Sequence, residues 1–198
     1  MTIRMGYAKI DRLETQRLLL RPINNTDVKA LYAYRSDKIL NQYQGWIPEK
    51  ISDATEFIGR QAPNWNLPDT WFQLAIIEQS SEKMIGDIGV HFIDQEDKQV
   101  ELGCTLAKEN QGKGFATEAL NAVIDFLFVE MNKHRIIASV DPRNSGSIAM
   151  LDRIGFRKEA HFKGSYFQNG EWLDDAIYAL LKNEWKNNSP SAASTILL

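Results

Sequence analysis

Glu109-Asn110-Gln111-Gly112-Lys113-Gly114-Phe115-Ala116-Thr117 is the stretch on which the reading of this 198-residue chain turns. It follows a β-rich segment, residues 100–107. It precedes the clearest helical pattern in the chain, where Ala119, Leu120, Val123, Ile124, Leu127, Phe128 and Met131 make one apolar stripe. Two glycines allow a tight turn, so several amide N–H groups can converge on one concavity. The helix behind them adds unpaired N–H groups and the positive end of its dipole, which together suit a pyrophosphate. Ala116 lets a ligand approach closely, and Lys113 can reach a phosphate. Taken on its glycines alone, the segment also reads as a plain connecting loop. Two nucleotide loops are excluded. A Walker A loop needs Gly-x-x-x-x-Gly-Lys followed by Ser or Thr, but Gly114 follows Lys113 and Ala107 occupies the first glycine position. The dinucleotide fingerprint fails because Gly112-x-Gly114-x-x ends on Thr117, after a strand that belongs to a meander.

Upstream, residues 71–78, 85–93 and 100–107 read as three strands. The polar turns Ser80-Ser81-Glu82-Lys83 and Gln95-Glu96-Asp97-Lys98 separate them, which predicts an antiparallel meander. Earlier still, Leu18, Leu19 and Leu20 read as a short strand stopped at Arg21-Pro22. Asn25-Thr26-Asp27 starts a helix carrying Val28, Leu31, Tyr32 and Arg35. Ser52 is the expected cap of a second helix, ended by Pro63. Downstream lie a strand over 136–140, a helix over 145–154 stopped by Gly155, and strands over 156–163 and 173–181 around a loop at 164–170. The order β-α-α-β-β-β-α-β-α-β-β predicts one α+β domain over residues 1–186, with a mixed, mostly antiparallel sheet and helices on its faces. The small polar residues at 187–198 predict a flexible tail.

The bulk numbers exclude several classes. With 43% apolar and 25% charged residues, the composition is that of a soluble globular protein. A net charge of -3 gives no general pull toward nucleic acid or an anionic membrane. Cys104 is the only cysteine, so neither an intrachain disulfide nor a Cys-based zinc site is expected. His91, His134 and His161 are scattered, and no metal is expected. No run of about 20 apolar residues suggests a membrane span. The Met1-Thr2-Ile3-Arg4 start opens no signal-length apolar run, so a cytoplasmic protein is expected.

With Gln111, Gly114 and Ala116 in place, the turn resembles the acetyl-CoA loop of the GNAT superfamily, whose pattern is Gln/Arg-x-x-Gly-x-Gly/Ala. The Leu18-Leu20-Arg21 segment with Asp27, Gly45-Trp46, Gly86, Asn144-x-x-Ser147, Leu151, Gly155-Phe156 and Asn169-Gly170-x-Trp172-x-Asp174-x-x-x-Tyr178 resemble its RimJ/RimL-like branch, which includes ribosomal-protein-alanine N-acetyltransferases. The likeness runs over residues 13–185. It implies a single GNAT-like domain that takes acetyl-CoA as acyl donor. It also implies direct transfer to a primary amine, a protein N-terminus or a small molecule, in a ternary complex. A homodimer built on the sheet edge or the final strands is common in the branch.

The resemblance assigns cofactor contacts to Cys104, Thr105 and Leu106 through their backbone, on a strand that splays from its neighbour. It assigns others to Gln111, Gly112, Lys113, Gly114, Phe115, Ala116, Thr117, Asn144 and Ser147. Glu101, just before that stretch, reads either as the general base or as a solvated edge-strand glutamate; water, Asp87, His91 and Asp174 are alternatives. A tyrosine acid common in the family is replaced by Leu151. Ser147 is the nearest hydroxyl, able to hydrogen-bond the departing thiolate or simply to begin its helix. Asn144 is either a pantetheine contact or a turn residue. Cys104 reads as packing rather than as a nucleophile. Tyr43, Trp46, Trp65, Trp71, Tyr166 and Phe167 line an acceptor groove or fill the core. A second function follows from the missing tyrosine, namely a module that binds acyl-CoA without turnover.

Overall fold

The computed structural model describes residues 10–188 apart from 63, 94, 95, 97 and 169, with the backbone alone for 186–188. In chain order the elements are β1 (Leu13–Glu14), β2 (Leu18–Pro22), α1 (Val28–Arg35), α2 (Ile51–Gly59), β3 (Thr70–Glu78), β4 (Lys83–Phe92), β5 (Gln99–Leu106), α3 (Phe115–Asp125), β6 (Arg135–Val140), α4 (Ser145–Ile154), β7 (Arg157–Gln168), β8 (Glu171–Leu181) and α5 (Lys182–Asn188). The strands form one sheet in the order β1-β2-β3-β4-β5-β6-β8-β7. Every neighbouring pair is antiparallel except β5 and β6. This is the expected mixed α+β domain, with one strand more at its start and one helix more at its end.

Period-two alternation sends the side chains of the meander to two cores. Leu74, Ile76, Ile88, Val90 and Leu102 meet the apolar stripe of α3 on one face. Ala75 and Ile77 meet Leu31, Tyr34 and Ala54 of α1 and α2 on the other. The stripe continues past α3 into a π-helical segment, Phe126–Glu130, which keeps Leu127 and Phe128 buried. Gly155 ends α4 in the left-handed conformation (φ 105°) that a side chain would strain.

Four local expectations change. The strand β2 runs through Arg21 to Pro22 instead of stopping before them, because β1 pairs only with Leu19 and Leu20 and leaves the proline without a ladder bond to make on that side. Lys50, not Ser52, holds the cap position of α2. The amides of Glu49 and Lys50 are satisfied by the Asp53 carboxylate at 2.9 and 3.1 Å. The final hairpin is longer than expected, since bulges at Lys158/Ala160 and Phe162/Tyr166 let β7 run through residues assigned to a loop. The first two residues of the expected tail, Asn187 and Asn188, belong to α5. Pro63, residues 95 and 97 of the 95–98 turn, Asn169 and the tail from 189 onward lie outside the described residues.

Between α1 and the sheet lies a buried ionic cluster. Asp87 of β4 is fully buried and accepts from the Tyr34 hydroxyl (2.5 Å), from the Arg35 guanidinium (3.1 and 2.5 Å) and from the Gln73 side-chain amide. Burial and the adjacent carboxylate push the Tyr34 hydroxyl well above its usual range, so it remains a donor. Asp87→Ala leaves the Arg35 charge buried and uncompensated, and should lower unfolding free energy by about 3–5 kcal/mol in urea titration. A loss under about 1 kcal/mol would place the pair among ordinary surface bridges.

Candidate active site

Among the described residues β5 and β6 pair only at Gln99/Arg135, Val100/Ile136 and Glu101/Ile137. Beyond Glu101 the strands part, and β6 continues against β8 alone. A cleft of about 440 Å³ opens at the parting. Tyr43, Trp71 and Glu101 line it on the α1 side, and Leu120, Leu151 and Phe156 on the α3/α4 side. The freed edge of β5 therefore offers backbone polar groups to whatever enters.

At the far end of that edge is the glycine turn. Gly112 (φ 72°) and Gly114 (φ 82°) are both left-handed and exposed. Gly114 is the N-cap of α3 and has no side chain to cap it. The first intrahelical bond runs from the Glu118 amide to the Gly114 carbonyl (3.0 Å). The amides of Phe115, Ala116 and Thr117 are left without an intrahelical acceptor, at the positive end of the helix. The Gln111 side-chain amide donates to the Leu106 carbonyl (3.2 Å), fixing the loop against β5. This arrangement fits a diphosphate and a pantetheine arm.

Arg17, which the sequence reading did not single out, holds the same loop from outside. Its guanidinium donates to the Lys113 carbonyl (3.0 Å), pairs with Glu118 and lies 4.4 Å above the Phe115 ring. Glu118 also accepts from the Thr15 hydroxyl (2.6 Å) and the Arg17 amide (2.9 Å). Burial alone would raise this carboxyl, yet these bonds hold it below its ordinary value. Thus a cation other than Lys113 flanks the cradle. Its separation in sequence from the loop left no local signal.

The residues assigned by sequence divide as follows. Glu101 lines the cleft at the vertex of the parting, its Oε2 3.3 Å from His91 Nδ1. Ser147, Asn144 and Leu151 line the opposite wall. Asn144 caps α4 by accepting from the Ser147 amide (3.1 Å), so its turn role is observed together with its place in the cleft. Of the alternative bases, Asp87 is sealed in the Arg35 cluster. Asp174 is turned to His161 (2.7 Å) and the Gly164 amide (2.8 Å) on the hairpin. Cys104 is half-buried, lining the cleft and packing against the α3-side core, and its low-polarity surroundings push its thiol up to about 12. Thr105 and Leu106 are buried.

Tyr43, Trp71 and Tyr166 line the cleft, as expected of groove aromatics. Trp65 does not, being wedged edge-on between Phe72 and Phe92 in the core. Trp46 stacks on Phe57 of α2, and Phe167 lies exposed against Trp172. Two carboxylates that sequence reasoning missed also line the cleft. Asp141 pairs with Arg143, and Asp175 accepts from the Ser139 hydroxyl (2.7 Å). Among the described residues no group of three His, Cys, Asp or Glu side chains is placed to hold a metal ion.

A family model described as an acetyltransferase (GNAT) domain matches residues 17–157. The chain is 33% identical over 177 residues to the uncharacterized N-acetyltransferase p20 of Bacillus licheniformis, covering 89% of this chain and 99% of that one. It is 27% identical over 180 residues to the ribosomal protein uS5-alanine N-acetyltransferase of Escherichia coli (strain K12), covering 88% and 92%. Among solved structures, the spermidine N-acetyltransferase of Vibrio cholerae, in complex with CoA and spermine, superposes with a TM-score of 0.76. Identity there is 21%, with coverage of 87% of this chain and 100% of that one. The chain belongs to the GNAT acetyltransferase family, and the RimJ/RimL-like likeness read from its motifs agrees with the ribosomal-protein relative. It is an N-acetyltransferase of the kind that uses acetyl-CoA.

Gly114→Val forces a branched side chain into a left-handed position and should weaken CoA binding at least about tenfold by calorimetry while the protein stays folded. Unchanged affinity would remove the loop from the phosphate site. With its pKa near 12, Cys104 should be thiolate in only about one molecule in 10⁴ at pH 8. Alkylation by iodoacetamide should accordingly be slow in the native protein and fast in urea. Rapid native labelling would contradict the raised thiol.

Proposed function

We propose that this protein transfers the acetyl group of acetyl-CoA directly to a primary amine, a protein N-terminus or a small molecule, in a ternary complex in the cytoplasm. The observation that carries the reading is the shared cleft. One opening in the sheet receives the freed edge of β5, Glu101 and Ser147, and leads toward the uncapped start of α3. The donor enters from the α3/α4 side, its diphosphate on the amides of residues 115–117 and its pantetheine along Cys104, Thr105 and Leu106. The acceptor enters from the side of Tyr43 and Trp71.

In this reading Glu101 removes a proton from the acceptor ammonium. The amine nitrogen attacks the thioester carbonyl, a C–N bond forms, and the C–S bond breaks. As the amide forms the nitrogen gives up its second proton to solvent, and the thiolate, leaving with a hydrogen bond from the Ser147 hydroxyl, takes up a proton from solvent. A backbone amide on the β5 edge facing the carbonyl oxygen would be worth about 10²–10³ in rate. Asn144 serves as the cap that orients Ser147.

The Leu151 side chain in the cleft wall, where the family often has a tyrosine, favours a second reading: a module that binds acyl-CoA with little turnover. Incubation with acetyl-CoA, a panel of amines and a free-thiol reagent decides between them. Acceptor-dependent thiol release is expected; thermal stabilisation by CoA without release would select the binding module. Glu101→Gln should lower kcat about 10²–10⁴-fold at neutral pH with CoA affinity nearly unchanged. A full rate in that variant would exclude Glu101 as the base.

A further inference from the structure

We infer that His91 is a positioning residue for acetyl transfer, holding the Glu101 carboxylate in one orientation at the vertex of the cleft. The inference rests on Glu101 being the base. The register of the meander places three side chains in one row across neighbouring strands, because Trp71 is paired with His91 and His91 with Glu101. Residues directly opposite each other on adjacent strands share a face and touch. Glu101 is also the last residue of β5 paired on both edges, with His91 on one side and Ile137 on the other. Its backbone is therefore fixed, while its side chain, about a quarter exposed, faces the open part of the cleft.

A long carboxylate side chain at such a place needs a further restraint to present one oxygen to a substrate. His91 supplies it, with Nδ1 3.3 Å from Glu101 Oε2. A carboxylate facing a ring nitrogen selects the tautomer that carries a proton there. One carboxylate oxygen is thereby occupied, and Oε1 accepts no other hydrogen bond among the described residues. The ring cannot swing away easily. It is stacked on Trp71 at 4.7 Å and 9°. Its second nitrogen, an acceptor in that tautomer, faces the exposed carboxylate of Asp69 at 3.6 Å, beyond hydrogen-bond reach, so the stack is what restrains the ring. Gly89, two residues before His91, makes the stack achievable, since a Cβ there would fall 2.9 Å from the Trp71 ring.

The His91–Glu101 contact is a single 3.3 Å contact between partly exposed side chains and contributes little to stability. A purely structural role would therefore leave little trace in rate or stability, whereas a positioning role shows in kcat. The test uses the full chain, acetyl-CoA and whichever panel amine the unmodified protein turns over fastest. His91→Leu, which removes the donor, should lower kcat about 10- to 100-fold, because small misplacements of a reacting group cost that much. The KM for acetyl-CoA and the thermal midpoint should stay close to those of the unmodified protein. His91→Asn, which offers an amide N–H where Nδ1 was, should recover kcat to within about threefold. Added to Glu101→Gln, His91→Leu should cost nothing further, as expected of two residues acting as one unit. The inference is overturned if His91→Leu keeps full kcat, if His91→Asn is as poor as His91→Leu, or if the loss is additive with Glu101→Gln. A fully active Glu101→Gln alone would instead overturn the base assignment on which it rests.

Discussion

The parting of β5 from β6 after a three-residue parallel ladder is the constraint from which the rest of the molecule takes its form. Strands that leave a ladder expose backbone groups that must be satisfied elsewhere, and a buried, unsatisfied edge is costly. Here the edge faces a cleft, where a peptide-like ligand can do what a strand would otherwise do. The helix that follows β5 is uncapped for a parallel reason. Gly114 gives its first turn no side chain, so its free amides also await an outside acceptor. The two unsatisfied surfaces belong to one strand-turn-helix unit, and a long ligand carrying amides at one end and phosphates at the other is the natural complement to both.

Holding strands apart requires rigid flanks. On one side the buried cluster of Asp87, Arg35, Tyr34 and Gln73 ties α1 to the middle of β3 and β4. A buried ion pair is weak evidence for net stability, but it fixes geometry, since sliding α1 would strand a charge. On the other side the stripe of α3 packs against Leu74, Ile76, Ile88, Val90 and Leu102. The cleft walls are thus anchored by different physics, ionic on the α1 side and apolar on the α3 side.

Most of the fold was legible because periodicity is a local property. Each strand of the meander, the α3 stripe and the Gly155 stop is written within about a dozen consecutive residues. The glycine turn was legible for the same reason, since its left-handed positions need glycine. What escaped reading depends on distance. Trp65 and Trp46 are indistinguishable in sequence from Trp71, yet only Trp71 reaches the cleft. Bulges that lengthen the final hairpin, the approach of Arg17 to Lys113, and the row that joins His91 to Glu101 all depend on register or on contacts between remote segments. Asp87 shows the opposite case, for a carboxylate that reads as a candidate base is unreachable once α1 covers it.

The Arg17 contact has a consequence for how the protein comes to be competent. Its bond to the Lys113 carbonyl joins residues 96 positions apart, as does the neighbouring grip of Glu118 on Thr15 across 103. Closing loops of that size is entropically uphill until much of the sheet between them exists. The glycine turn therefore gains its outer supports late in folding, however strong its local turn signal. Its assembly coincides with the docking of the first strands at the opposite end of the order of synthesis. A donor that grips the cradle would in turn stabilise the whole N-terminal edge of the sheet.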